Sequence, residues 1–182
     1  MTTGTLFSAT LGLNSNDWNG YTFVQSIPAS AMTLPSGSII KVRFRLQSST
    51  TETRTVTNAY IEHRAGAGDV YDFNATPVQL LFAGSGSKVI ASNSEEWTDW
   101  ATFAYNKTDD LLFATYCGGG TSSDNLRYSN SVTGCAAYYK SGNDSSTVNK
   151  SGYTLQASNF LGLVNAIEYE TSDGGGSFFP FF

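Results

Sequence analysis

The segment Ile39–Gln47 alternates between apolar and polar residues, and this pattern constrains the fold more than any other feature of the chain. The apolar side chains share one side of the segment and the polar ones the other: Ile40, Val42, Phe44 and Leu46 against Lys41, Arg43, Arg45 and Gln47. A period of two residues is typical of a β-strand with one buried and one solvated face. Such half-buried strands belong to antiparallel sheets. The segment therefore predicts an antiparallel sheet with one face in a core.

Turn-forming residues recur along the rest of the chain and divide it into short β-rich runs. Turn signals at intervals of about ten to fifteen residues favour a sandwich or barrel over alternating strands and helices. The composition agrees, because aromatic residues are abundant at 14% while charged residues are scarce, also at 14%. No internal repeat is visible, which disfavours propellers and solenoids. We therefore predict an all-β, antiparallel two-sheet sandwich that is jelly-roll-like, with roughly nine or ten strands.

Residues 97–117 predict a hairpin at the centre of this sandwich. Two aromatic or apolar runs, residues 97–105 and 111–117, flank a polar turn cluster at residues 106–110. Runs joined by about five polar residues are a hairpin signal. Most of the aromatic side chains of this stretch are expected in the core: Trp100, Phe103, Tyr105, Phe113 and Tyr116. Asp99 stays open, since a buried carboxylate needs hydrogen-bond partners whereas an exposed one is a solvent-facing acid.

The sequence predicts a β-sandwich domain, residues 1–171, followed by a glycine-linked aromatic C-terminal tail, residues 172–182. The length of 182 residues fits one such domain. A free tail this apolar is unfavourable in water, so we expect it to be buried. Docking into a partner, including a second copy, is slightly favoured over packing on the same chain. The docking residues would be Phe178, Phe179, Phe181 and Phe182.

Charge and hydropathy exclude some classes of partner and location. The net charge of −5 and scattered basic residues argue against nucleic-acid binding, which needs clustered Lys and Arg. No basic segment followed by an apolar run marks a signal peptide, and no apolar run approaches the ~20 residues of a membrane span. We expect synthesis in the cytoplasm and no membrane partner. Cys117 and Cys135 either pair or remain two buried thiols, and both alternatives stay open.

Residues that could carry catalysis are few. A Ser-His-Asp or Cys-His site would have to use His63, which is the only histidine and whose strand position favours a packed or rim role. A glycosidase needs two carboxylates ~5–10 Å apart, and Asp99 and Glu62 are candidates that no spacing selects. We predict no enzyme.

Loop acids and amides offer a weaker signal for a metal. Oxygen ligands in loops suit calcium, and five such residues occur: Asp69, Asp72, Asn106, Asp109 and Asp110. Turn formation explains the same residues without an ion. We predict no cofactor and no metal site.

Aromatic residues in or beside loops are the more promising signal. Flat rings with polar tips stack on sugar rings, while nearby amides, carboxylates or guanidinium groups bind sugar hydroxyls. The candidate glycan-contacting residues are Trp18, Tyr71, Tyr128, Tyr139 and Tyr153. The alternative explanation is that many of these rings cover sheet edges.

Three segments resemble small β-sandwich proteins encoded with the structural genes of tailed bacteriophages. They are HRAGAGDVYDFNATPVQLLFAGSG, FAYNKTDDLLFATYCGGG and AYYKSGNDSSTVNKSGY, and the resemblance covers about residues 39–170. It implies a capsid decoration, head-fibre or tail-fibre and spike component, some of which touch host-surface glycans. It transfers no binding residue.

Together these features predict a non-enzymatic virion structural protein, made in the host cytoplasm and located in the virion. We expect it to form a homo-oligomer and to dock on other virion proteins, with host-surface glycan as a candidate ligand. A carbohydrate-binding module is the first alternative, and a glycosidase is the second.

Overall fold

The computed structural model describes residues 1–118 and 125–172, and for residues 15–17 and 125 it describes the backbone alone. The described residues form sixteen β-strands and one 3-10 turn at Ala29–Ala31, with no α-helix among them. Ten of these strands have five or more residues and six are shorter. The predicted all-β class is confirmed, whereas the jelly-roll connectivity and the strand count stay predictions.

In chain order the strands are β1 (Thr2–Ser8), β2 (Leu13–Asp17), β3 (Tyr21–Ile27), β4 (Ile39–Gln47), β5 (Arg54–Val56), β6 (Asn58–His63), β7 (Val78–Leu80), β8 (Lys88–Ile90), β9 (Glu95–Trp97), β10 (Ala101–Thr102), β11 (Leu111–Cys117), β12 (Asn125–Ser129), β13 (Ala136–Ser141), β14 (Thr154–Ser158), β15 (Leu161–Gly162) and β16 (Val164–Thr171).

Two large antiparallel sheets enclose the main core. One has the order β1-β16-β4-β10, with β9 also paired to β4, and the other has the order β14-β13-β3-β11-β6-β7. Phe44 of β4 stacks on Phe113 of β11 across the core, with ring centroids 5.5 Å apart. The remaining strands form the small sheets β15-β12-β2 and β5-β8. The architecture is therefore a sandwich of a five-stranded and a six-stranded sheet.

The alternation in β4 has the predicted result over residues 42–47, whereas Ile40, expected on the apolar face, is half-buried and Ile39 is buried. Val42, Phe44 and Leu46 are fully buried, while Arg43 and Arg45 remain partly exposed on the opposite face. The strand occupies the centre of the five-stranded sheet, between β16 on one side and β9 and β10 on the other. One face thus faces the core and one faces solvent, as a period of two requires.

The predicted hairpin over residues 97–117 is wrong. Its first run contributes the last residue of β9 and the whole of β10, and both strands pair with β4 in the five-stranded sheet. Its second run is β11, which lies between β3 and β6 in the other sheet. The intervening residues therefore cross from one sheet to the other.

Core packing explains this crossing. Phe103 donates its backbone N–H to Ile40 of β4 and then inserts its side chain into the core, as does Tyr105. Both rings stack on His63 at the end of β6, with centroids 4.9 and 5.5 Å away. The expectation of core positions is confirmed for Phe103, Tyr105 and Phe113. It is wrong for Trp100 and Tyr116, which are half-buried outside the core clusters.

The cysteines adopt the second of the two open alternatives. Cys117 and Cys135 are both buried, and both are thiols rather than a disulfide. Burial, reinforced by the nearby Asp110 carboxylate, raises the pKa of Cys135 to about 12. Among the described residues no helix is long and apolar enough to cross a membrane.

Candidate functional site

A cleft of about 390 Å³ gathers rings and amides from several strands and turns. This volume lies within the range of small-ligand sites. Its lining residues are all uncharged: Asn14, Trp18, Tyr128, Asn130, Gln156, Ala157 and Phe160. Two of the five predicted glycan-contacting residues, Trp18 and Tyr128, therefore line one cleft.

The Trp18 ring packs against the main core, which fixes its position. It lies in the turn between β2 and β3, where Gly20 has a positive φ of 82° and reverses the chain. Its ring meets Phe23 and Tyr139 edge-on, with centroid separations of 4.5 and 5.0 Å. The side chain stays half-buried, so the anchored ring also borders the cleft. Tyr139 is accordingly a supporting ring behind Trp18.

Tyr128 is fixed by stacking. It lies on β12, and its ring stacks on the buried Phe160 with a centroid separation of 4.9 Å and an interplanar angle of 16°. One face of the Tyr128 ring is therefore covered, while its half-buried remainder borders the cleft. A ring held in this way loses little conformational entropy when a ligand packs on it.

Two carboxamides in the cleft are available to a ligand. Among the described residues, the side chains of Asn130 and Gln156 have no hydrogen-bond partner. Asn14 differs, because its Oδ1 accepts from Arg127 Nη1 at 3.0 Å and its Nδ2 donates to Thr50 Oγ1 at 2.7 Å. Each free carboxamide offers both a donor and an acceptor. Rings beside such amides suit a ligand with apolar C–H faces and hydroxyl edges.

Tyr71 and Tyr153 lie elsewhere, on the outer face of the six-stranded sheet. Their ring centroids are 4.9 Å apart, and both pack against a second apolar cluster: Val24, Phe73, Leu112 and Ala114. Burial, followed by the charge of Asp144, raises the pKa of the Tyr153 hydroxyl above its ordinary value. The structure thus separates these two rings from Trp18 and Tyr128. These two rings pack over a sheet face rather than over the sheet edges that the alternative explanation named.

Lys150 is buried in the same outer cluster. Its Nζ lies 3.3 Å from the centroid of the Phe73 ring and donates to the backbone carbonyl of Thr147. Its backbone N–H donates to Asp72 Oδ1 at 2.6 Å. Burial lowers the pKa of the Lys150 ammonium to about 8, against the opposing charges of Asp144 and Asp72.

This burial predicts a dependence of stability on pH. Below pH 8 both folded and unfolded chains are protonated at Lys150, so the cost of burying the charge is fully present. Between pH 8 and 10.5 only the unfolded chain holds the proton, so this residue makes the folded state more stable as pH rises. Relative to Lys150→Met, wild type should gain roughly 2–3 kcal/mol of unfolding free energy between pH 7 and pH 10.

Urea unfolding of wild type and Lys150→Met across this range measures that difference. Lys140→Met is the matched control, because Lys140 is partly exposed beside Asp144. Relative to Lys140→Met, the unfolding free energy of wild type should not rise in this way between pH 7 and pH 10. A constant difference between wild type and Lys150→Met at all pH values would contradict the burial argument.

The two candidate glycosidase carboxylates have separate structural partners. Asp99 is exposed, and its two oxygens accept the backbone N–H groups of Ala83 and Gly84 at 3.0 and 2.7 Å. Glu62 is buried on β6, and its Oε1 lies 2.8 Å from both the backbone N and Nδ1 of His63. Asp99 is thus a solvent-facing acid that fixes a turn, which resolves the question left open for it.

His63 has partners on both ring nitrogens. Nε2 accepts the backbone N–H of Asn106 at 3.0 Å, so Nδ1 carries the proton and donates to Glu62. With 8% exposure and two stacked rings, His63 is packed, the first of the two predicted alternatives, packed or rim.

Two of the candidate calcium ligands, Asn106 and Asp72, are engaged in turns, and Asp110 pairs with Arg64. Asn106 Oδ1 accepts the backbone N–H groups of Thr108 and Asp109, both at 3.0 Å. Asp72 Oδ2 accepts the backbone N–H of Asp69 at 2.8 Å. Within residues 1–118 and 125–172, no group of three or more His, Cys, Asp or Glu side chains could hold a metal ion.

Sequence reasoning missed the cleft as a unit. Asn130, Gln156 and Phe160 join it from segments that carry no distinguishing motif, because amides are common in loops. The tail residues Phe178, Phe179, Phe181 and Phe182 lie outside the described residues.

No protein-family model matches the chain, and no curated protein matches it in sequence.

Proposed function

We propose that the chain is a non-enzymatic virion structural protein of a tailed bacteriophage whose cleft contacts host-surface glycan. The observation that carries the glycan contact is the pairing of anchored rings, Trp18 and Tyr128, with the unengaged amides of Asn130 and Gln156. The virion assignment is supported by the resemblance of three segments and by the phenylalanine tail. The structural contacts of His63, Glu62 and Asp99 favour binding over catalysis.

The cleft suggests how a sugar would be bound. The C–H face of a pyranose packs on a ring, and the two carboxamides bind its hydroxyls as donor and acceptor at once. Because the lining residues are uncharged, a neutral sugar unit fits better than an acidic one. Weak single-site binding would suffice on a particle, since many copies act together.

A glycan panel probed with the full chain, followed by titration of the strongest neutral glycan, tests this proposal. Tyr128→Ala and Gln156→Ala should each weaken binding about tenfold, which is the loss of roughly 1.4 kcal/mol. Leu155→Ala is the matched control, because Leu155 is exposed on β14 beside Gln156 and does not line the cleft. If Tyr128→Ala and Gln156→Ala bound the glycan as tightly as the control Leu155→Ala, the cleft would not be the glycan site. If the full chain bound no glycan at high micromolar concentration, the glycan role would be rejected.

A second arm addresses docking by the tail. Deleting residues 174–182 should abolish incorporation into particles or change the oligomeric state. A matched variant that replaces only the three spacer glycines with serine should keep both. An unchanged oligomeric state together with retained assembly after the deletion would remove the docking role.

A carbohydrate-binding module that is not part of a virion is the second candidate, because the same cleft supports it. Mass spectrometry of purified particles separates the two. Copies of this chain in particles support the virion assignment, and glycan binding without particle association supports the module. Release of reducing ends during the panel experiment would instead indicate a glycosidase.

A further inference from the structure

The outer face of the five-stranded sheet carries four parallel columns of side chains. Strand register places most of them in order across the sheet: Thr3 and Thr5 on β1, Glu170 and Glu168 on β16, Lys41, Arg43 and Arg45 on β4, then Thr102 on β10 and Trp97 on β9. Trp100, between β9 and β10, joins the last column through its contact with Arg43. A threonine column, an acidic column, a basic column and a column with two tryptophans thus run side by side.

The two charged columns are matched level by level. Lys41 Nζ lies 2.9 Å from Glu170 Oε2, and one level along Arg43 Nη2 lies 2.6 Å from Glu168 Oε2. The Arg43 and Glu168 side chains keep 32% and 28% of their surface exposed. The guanidinium and the carboxylate are therefore each open to solvent over part of their surface, where a second ion can bind.

Two tryptophans hold Arg43 in place. Its guanidinium carbon lies 4.6 Å from the Trp97 ring centroid and 4.7 Å from that of Trp100. Both rings are half-buried and lie outside the core clusters. Trp and Arg are the residues most enriched where binding energy concentrates in protein interfaces. Because the arginine is already ordered, little side-chain entropy remains to be lost on binding.

We infer that this face binds the same face of a second copy of the chain. A two-fold axis parallel to the strands, above the line between β4 and β16, keeps each level and exchanges the columns. Arg43 then faces Glu168 of the second copy, and Lys41 faces Glu170. The outer columns also exchange, so that Trp100 faces Thr5. The order threonine, acid, base, tryptophan is therefore complementary to itself.

The size of the face sets the strength of this contact. Four strands about 4.8 Å apart and three levels along them give roughly 400 Å² of projected area per copy. This is smaller than the interfaces of stable dimers, so the contact is weak and depends on concentration. The inference deepens the proposed function and rests on it, because a virion holds copies close together and so favours weak contacts.

Charge reversal followed by mixing tests the inference on the full chain. Arg43→Glu alone makes the charged columns acidic, and Glu168→Arg alone makes them basic, so each variant should dimerise at least tenfold more weakly than wild type. An equimolar mixture of the two should recover dimers, since the introduced glutamate of one variant then faces the introduced arginine of the other. Sedimentation equilibrium up to about 1 mM in low salt measures all three samples.

Three further variants serve as controls for this test. The double variant Arg43→Glu/Glu168→Arg exchanges the two charges but keeps each facing its opposite in the second copy, so it should dimerise more tightly than either single variant. Arg64→Glu, which reverses a charge paired with Asp110 off this face, should leave the dimer unchanged. Replacing the four tail phenylalanines with serine should also leave it unchanged, which separates this contact from tail docking.

A monomeric wild type at all concentrations, or a mixture that stays monomeric, overturns the inference. Recovery on mixing without any glycan binding would leave the inference standing and reject the glycan proposal. Glycan binding by a protein that never dimerises would reject the inference and leave the glycan proposal standing.

Discussion

Phe113→Ala is expected to lower the free energy of unfolding by about 3–5 kcal/mol, the usual cost of truncating a fully buried phenylalanine. Phe113 is 0% exposed on β11, which lies between β3 and β6 in the six-stranded sheet. Its ring stacks on Phe44 of the opposite sheet. Truncation therefore leaves a cavity between the two sheets. Urea unfolding followed by circular dichroism measures the loss.

Two comparison variants serve as controls for the loss of unfolding free energy in Phe113→Ala. Phe113→Leu keeps most of the apolar volume and should cost less than half as much as Phe113→Ala. Tyr116→Ala, on the same strand but half-buried outside the main core, should also cost less. A loss below about 1 kcal/mol for Phe113→Ala would mean that the two sheets do not pack through this pair.

Gln25→Leu is expected to cost about 3–5 kcal/mol, because it leaves two buried backbone groups without partners. Gln25 is 0% exposed on β3. Its Oε1 accepts the Gly162 N–H at 2.6 Å, and its Nε2 donates to the Gly162 carbonyl. One side chain thereby ties the six-stranded sheet to β15 of the small sheet. Leucine has a similar volume but can make neither bond.

Gln79→Leu is the matched control, since Gln79 is exposed on β7. It should change the unfolding free energy by less than about 0.5 kcal/mol, as surface substitutions usually do. If Gln25→Leu proved as mild as this control, the two bonds to Gly162 would not contribute to stability.

The sequence predicted the parts of the fold that depend on local periodicity. The alternation of β4 predicted its buried and exposed faces, because neighbouring side chains along a strand must point to opposite sides. The hairpin prediction was wrong because the turn at residues 106–110 is local, whereas the choice of partner strand is not. Phe103 and Tyr105 stack on His63 of the six-stranded sheet, a contact between distant segments that no local pattern encodes.

The candidate site was predictable only by residue type. Trp18 and Tyr128 were selected because their rings lie near loops, and the structure places both at the cleft. Tyr71 and Tyr153 have the same local signature, yet the loops that carry them cover the opposite side of the six-stranded sheet. Which sheet face a loop covers depends on contacts between distant segments, and no local pattern encodes it.

The pairing of β1 with β16 governs the order in which the molecule can form. Thr2 lies opposite Thr171, so the edge strand of the five-stranded sheet waits for residues made some 170 positions later. During synthesis β3, β6 and β11 can associate early, while β1 and one edge of β4 remain unpaired until β16 leaves the ribosome. Until then those edges are open to wrong pairing, and the pairing of β16 with β1 and β4 closes both of them.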